Sequence, residues 1–97
     1  MNTKAQVLSA LKELKEEIKA RFKVKEIGVF GSVVRGEQGE TSDIDVLVDF
    51  EQSADLFDLV GLGLFLEERL QRKVDVVDKS ALRPELRETV LREVAVA

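Results

Sequence analysis

The chain has no cysteine, no histidine, no tyrosine and no tryptophan, and only one proline and one methionine among its 97 residues. Without cysteine there are neither disulfides nor thiolate ligands. Without histidine, imidazole bases, imidazole ligands and Ser-His triads are excluded. Any metal site must then use oxygen donors, which favours Mg²⁺ or Mn²⁺. Long hydrophobic runs are also missing: nothing approaches the ~18–20 apolar residues of a membrane span. The opening "MNTKAQ" has no apolar segment of the signal-peptide kind,. The expectation is a soluble, cytoplasmic protein with no membrane association.

What is present suits a small globular fold. Apolar residues make up 44% and charged residues 35%. A chain of 97 residues is expected to form a single domain spanning residues 1–97, with one core and no need of staples. Its net charge of −4 is uneven. Residues 1–25 hold seven Lys/Arg against three Glu, and the remainder hold eight basic against sixteen acidic residues. Affinity for a polyanion comes mainly from Lys/Arg neutralising phosphates, so direct nucleic-acid binding is not expected. The basic first segment either steers a small anion or is a solvated helix face.

The pattern predicts the order α-β-α-β-α-β-α. A helix is expected from Thr3 to about Phe22, with Thr3 and Gln6 as a capping box and Val7, Leu11, Leu14, Ile18 and Phe22 on one stripe. A short strand follows at Glu26–Phe30, then one helical turn over Ser32–Arg35. "EQGETS" is a connector whose flexible point is Gly39. In "DIDVLVDF" the residues Ile44, Val46, Val48 and Phe50 share one face of a strand, and Asp43, Asp45, Leu47 and Asp49 the other. A second long helix is predicted over Ala54–Gln71, capped by Ser53, with Leu56, Leu59, Val60, Leu64 and Leu70 as its apolar residues. Gly61 and Gly63 within it imply close packing against a neighbour. A third strand is predicted over Lys73–Val77, and a last helix from Pro84 to about Val94. Together these describe an α/β domain with a short mixed sheet and about four helices.

Three carboxylates carry the chemical signal. Asp43 and Asp45 are two steps apart on one strand face, roughly 6.6 Å between Cα atoms. Carboxylates so close repel each other unless a cation or a proton lies between them. Asp75 interrupts an otherwise apolar strand. Convergence of the three would make an oxygen-only site for a divalent cation; the plainer alternative is a strand-entry cap, a solvated residue and the end of an edge strand. Gly31 allows a tight turn after the first strand, and Ser32 offers a hydroxyl and backbone N–H groups to an anion; its plain alternative is an ordinary turn. An anion grip beside a metal site suits a nucleoside triphosphate, whose charge two Mg²⁺ ions would offset.

These residues resemble the nucleotidyltransferase superfamily of DNA polymerase beta, whose signature is Gly-Ser, a connector, Asp-x-Asp and a third acid on a following strand. "GSVVRG" and "SDIDVLV" are most similar to the minimal nucleotidyltransferases, single domains of about this length, and the likeness covers essentially the whole chain. Val34 departs from the alanine usual there. The resemblance implies that Asp43 and Asp45 bind both Mg²⁺ ions, that Asp75 completes the metal activating the acceptor hydroxyl or serves as its base, and that Gly31 and Ser32 hold the β- and γ-phosphates of ATP. Arg35 either reaches a phosphate or the partner, or clamps Glu37 or Glu40. Asp49 is read as a solvated or turn residue, and Asp78 as a turn cap. Such proteins commonly pair with HEPN-domain RNases, which implies an antitoxin that transfers AMP to a tyrosine of its toxin and forms a hetero-oligomer with it. This chain has no tyrosine of its own to modify. Two alternatives remain: an antitoxin that acts by binding alone, or transfer to another acceptor.

Overall fold

The structure, a computed structural model, describes residues 3–36 and 43–97. The first helix, α1, runs Lys4–Phe22. Its start is the predicted capping box: Gln6 N–H donates to Thr3 Oγ1 at 3.1 Å, and Thr3 N–H to Gln6 Oε1 at 3.2 Å. Lys23 closes it in the left-handed conformation. The first strand, β1, spans Val24–Phe30, starting two residues before the expected Glu26. An irregularity in pairing between Val24 and Glu26 separates those first residues from the rest. A single helical turn, α2, follows at Ser32–Arg35. The connector "EQGETS", with Gly39, Glu37 and Glu40, lies outside the described residues.

The second strand, β2, covers Ile44–Phe50, the long helix α3 covers Leu56–Leu70, and β3 covers Val74–Asp78. A short 3₁₀ turn at Lys79–Ala81 leads to α4, Pro84–Glu93. Asp78 caps that turn as expected, accepting from Ser80 N–H at 3.0 Å. A two-residue strand, β4, at Ala95–Val96 was not anticipated. The sheet order is β3-β2-β1-β4. β1 is antiparallel to β2 and β4, whereas β2 and β3 are parallel and joined through α3. The sheet is therefore mixed.

The core lies between the sheet and the pair α1 and α3. β2 alternates as expected, with Ile44, Val46 and Val48 buried against Val7, Leu11, Ile18, Leu62 and Leu66. Across the helix seam the Phe22 and Phe65 rings sit 5.4 Å apart.

Two expectations about α3 are corrected. Its cap is Asp55 rather than Ser53: Asp55 and Asp58 exchange backbone-to-carboxylate hydrogen bonds in a capping box. Its buried face is also different. Leu70 is buried as expected and Leu59 is half-buried, but Leu56, Val60 and Leu64 are exposed, and Leu62, Phe65 and Leu66 make up the rest of the inward face. The helix is apolar on nearly every side, so periodicity could not choose the face. Gly61 chooses it: a methyl there would lie 3.1 Å from the Phe22 ring, so α1 crosses at this point. At Gly63 the corresponding neighbour, Val76 Cγ2, is at an ordinary 3.6 Å, so the close packing expected there is absent.

Candidate active site

β1 delivers the chain to Gly31, which adopts φ 76° and ψ −147°. That region is open essentially only to glycine. Space makes the same demand, because a Cβ on Gly31 would collide with the Asp45 carboxylate. The Gly-Ser turn and the Asp-x-Asp strand are therefore in direct contact. Beyond Gly31 the turn of α2 closes through hydrogen bonds from Val34 and Arg35 N–H to the Gly31 carbonyl, at 3.1 and 3.2 Å. Ser32 is half-buried at its start.

Strand register supplies the other neighbour. Asp45 lies opposite Phe30 on β1 and opposite Asp75 on β3. The order across the sheet is thus Gly31 turn, Asp45, Asp75. Asp43 stands one residue ahead of β2 and is exposed, as is Asp75. Asp49 is half-buried towards the far end of β2, away from this row.

Electrostatics follow from that arrangement. Asp45 is half-buried, and desolvation pushes its carboxyl above the usual range,. The negative charges of Asp75 and Asp43 push the same way, Arg35 opposes them, and Glu93 adds a smaller upward push. The acids are close enough to repel, but among the described residues no three of them surround one point as a ready-made cation cage.

Among the described residues Arg35 has a partner that was not expected. Its Nη1 donates to Glu93 Oε1 at 2.7 Å, joining the end of α2 to the end of α4. The alternatives Glu37 and Glu40 fall outside the described residues. Nothing in "LREVAVA" marked Glu93 beforehand, because its place at the site depends on where α4 ends.

The nucleotidyltransferase domain family matches residues 11–96 of this chain. The chain belongs to that family. Among its relatives, the protein adenylyltransferase MntA of Thermococcus cleftensis is 49% identical over 94 residues, covering 97% of this chain and 95% of that one. A solved candidate minimal nucleotidyltransferase superposes with a TM-score of 0.76 at 44% identity, covering 91% of this chain and 93% of that one. A chain of a toxin–antitoxin complex with AMP-PNP superposes at 0.71 with 25% identity, over 88% of this chain and 70% of that one. A chain from the complex of a tri-AMPylated Shewanella oneidensis HEPN toxin with its MNT antitoxin reaches 0.69 at 21% identity, over 97% and 71%, which speaks to the fold. The enzyme is a nucleotidyltransferase, and among its described residues no helix is long and apolar enough to cross a membrane.

Proposed function

We propose that this nucleotidyltransferase is an antitoxin that transfers AMP from ATP to a tyrosine hydroxyl on a HEPN-family RNase. The observation that carries the reading is the single row of Gly31, Asp45 and Asp75, in which the Gly-Ser turn touches the Asp45 carboxylate and Asp75 lies opposite Asp45 on the next strand. The MntA relative is named as a protein adenylyltransferase, and related folds occur in toxin–antitoxin complexes, one with an ATP analogue and one with an AMPylated HEPN toxin. The absence of tyrosine from this chain agrees with an acceptor on another protein.

In this reading Gly31 and Ser32 hold the β- and γ-phosphates and Arg35 balances their charge. The acceptor oxygen attacks the α-phosphorus, forming the new P–O bond as the bond to the β-bridging oxygen breaks and pyrophosphate leaves. Asp75, exposed on the edge strand, receives the proton from the acceptor hydroxyl or orients that hydroxyl,. The donor set fits Mg²⁺: it is all carboxylate oxygen, and the mutual repulsion at Asp45 is what a hard cation offsets,. Held by Asp43, Asp45 and Asp75, two such ions would neutralise the triphosphate and stabilise the attacking and leaving oxygens.

The exposed side chains Leu56, Phe57, Val60 and Leu64 on α3 support a protein partner, since contiguous apolar exposure of this kind marks interaction surfaces,. They also support a second reading, in which covering the toxin suffices. Incubation with ATP, Mg²⁺ and a HEPN-family RNase partner is expected to add AMP mass to the RNase. The double variant Asp43→Ala/Asp45→Ala is expected to abolish that addition. Full neutralisation by the double variant at equal expression would instead establish action by binding.

A further inference from the structure

The last residue of α4 sits where helix physics disfavours it. A helix C-terminus carries partial negative charge, so Glu93 there is opposed by the dipole, whereas its neighbour Arg92 is favoured and pairs back to Glu88,. The conflict is resolved by one contact, the 2.7 Å pair with Arg35. The two members are unequal: the Glu93 side chain is 18% exposed and that of Arg35 50%. The carboxylate is the fixed member, and the guanidinium is the one that reaches solvent.

The segment after Glu93 explains why it is fixed. Val94 N–H bonds to the Val90 carbonyl at 2.9 Å, ending the helix without a frayed turn. Ala95 and Val96 then pair with Val29 and Gly28, and Ala97 N–H donates to the Ile27 carbonyl at 2.9 Å. From the other side Lys15 Nζ donates to the Ala97 carbonyl at 2.9 Å. The approach is so close that a Cβ on Gly28 would lie 2.7 Å from the Ala95 carbonyl oxygen. Residues 95–97 are thus clipped onto β1, the strand that leads into the Gly31-Ser32 turn. Glu93 and that turn are held by one strand.

We infer that Glu93 is a positioning residue, which the C-terminal clip holds in place so that it presets the Arg35 guanidinium for the triphosphate of the nucleotide. The inference rests on the reading of Gly31, Ser32 and Arg35 as the phosphate grip. A guanidinium carries five N–H donors, and half of this side chain is open to solvent. Holding it in advance removes rotamer freedom that binding would otherwise have to freeze. Glu93 also adds negative charge beside Asp45, where acids already repel, so its place here carries an electrostatic cost.

The test compares Glu93→Ala, Glu93→Gln and Arg35→Ala, with the double variant, in two measurements. These are calorimetric binding of an ATP analogue bridged by α,β-methylene, and the KM for ATP and kcat of AMP transfer. Glu93→Ala is expected to weaken analogue binding and raise KM about tenfold while kcat changes by less than about twofold, with Glu93→Gln partly rescued because it keeps an acceptor. Adding Glu93→Ala to Arg35→Ala is expected to cost nothing more, because the effect runs through Arg35. Unchanged binding and KM in Glu93→Ala, even with a lowered Tm, would overturn the inference and leave a structural pair. Tighter binding would overturn it too, showing that Glu93 competes with phosphate. If the wild-type chain itself does not bind the analogue, the phosphate-grip reading fails and the inference with it.

Discussion

Asp45 is the residue on which the site turns, and its surroundings make it a liability to the fold. Burial and two neighbouring acids raise its carboxyl above the ordinary range. The sign follows from proton linkage. At pH values between the unfolded and folded midpoints the native state binds more protons than the unfolded chain, so stability falls as pH rises through that window. Above the folded midpoint the whole penalty is present. Asp45→Asn is therefore expected to raise the melting temperature at neutral pH, and the gain should vanish well into acid, where the carboxyl is protonated in both states. Calorimetric scans across that range check it, and equal gains at both extremes would refute the electrostatic origin. The pair Asp43 and Asp45 and the Gly-Ser turn were readable from side-chain type and spacing alone. That Gly31 must lack a side chain because Asp45 occupies the space was not, since the two are fourteen positions apart in the chain.

At the scale of elements, caps and alternation were legible and faces were not. The Thr3–Gln6 box formed as its sequence indicates, and β2 buries Ile44, Val46 and Val48 of the set its period of two selects, with Phe50 half-buried and Leu47 of the other face buried as well. In α3, leucines and valines occur on every side, so the choice between an inward Leu62–Leu66 face and an inward Leu56–Leu64 face fell to the packing of α1 against Gly61. The two glycines then differ. Gly63→Ala has room beside Val76 and is expected to stabilise the protein by about 1 kcal/mol through helix propensity. Gly61→Ala meets the Phe22 ring at 3.1 Å and should gain less or lose stability, because that ring is wedged against Phe65. Urea titrations of the two variants measure the difference.

For the molecule as a whole, the apolar side chains left outside on α3 bear on assembly. Phe57 is 87% exposed, and it touches neither the core nor the acidic row. Replacing it by serine is expected to leave unfolding free energy within about 0.5 kcal/mol of the parent, as for most surface changes. If this aromatic is a hot spot of the proposed interface, its truncation costs about 2 kcal/mol, so affinity for the proposed RNase partner should fall about thirtyfold. Co-purification and calorimetry separate the two effects, and unchanged affinity would exclude this stretch of α3 from the interface.

The amino-acid sequence by itself determined the chemistry open to this protein: oxygen ligands only, no imidazole, no thiolate, no internal tyrosine, and a glycine–serine turn ahead of paired aspartates. These follow from residue identity and near-neighbour spacing, which act over one strand or one turn. Tertiary structure decided which of those groups meet. The parallel register of β2 with β3 set Asp75 opposite Asp45, and the clip of Ala95–Ala97 onto β1 brought Glu93 to Arg35. Both depend on hydrogen bonding between segments distant in the chain. Register is chosen by the burial of a whole face at once, and a two-residue strand has no pattern of its own to read.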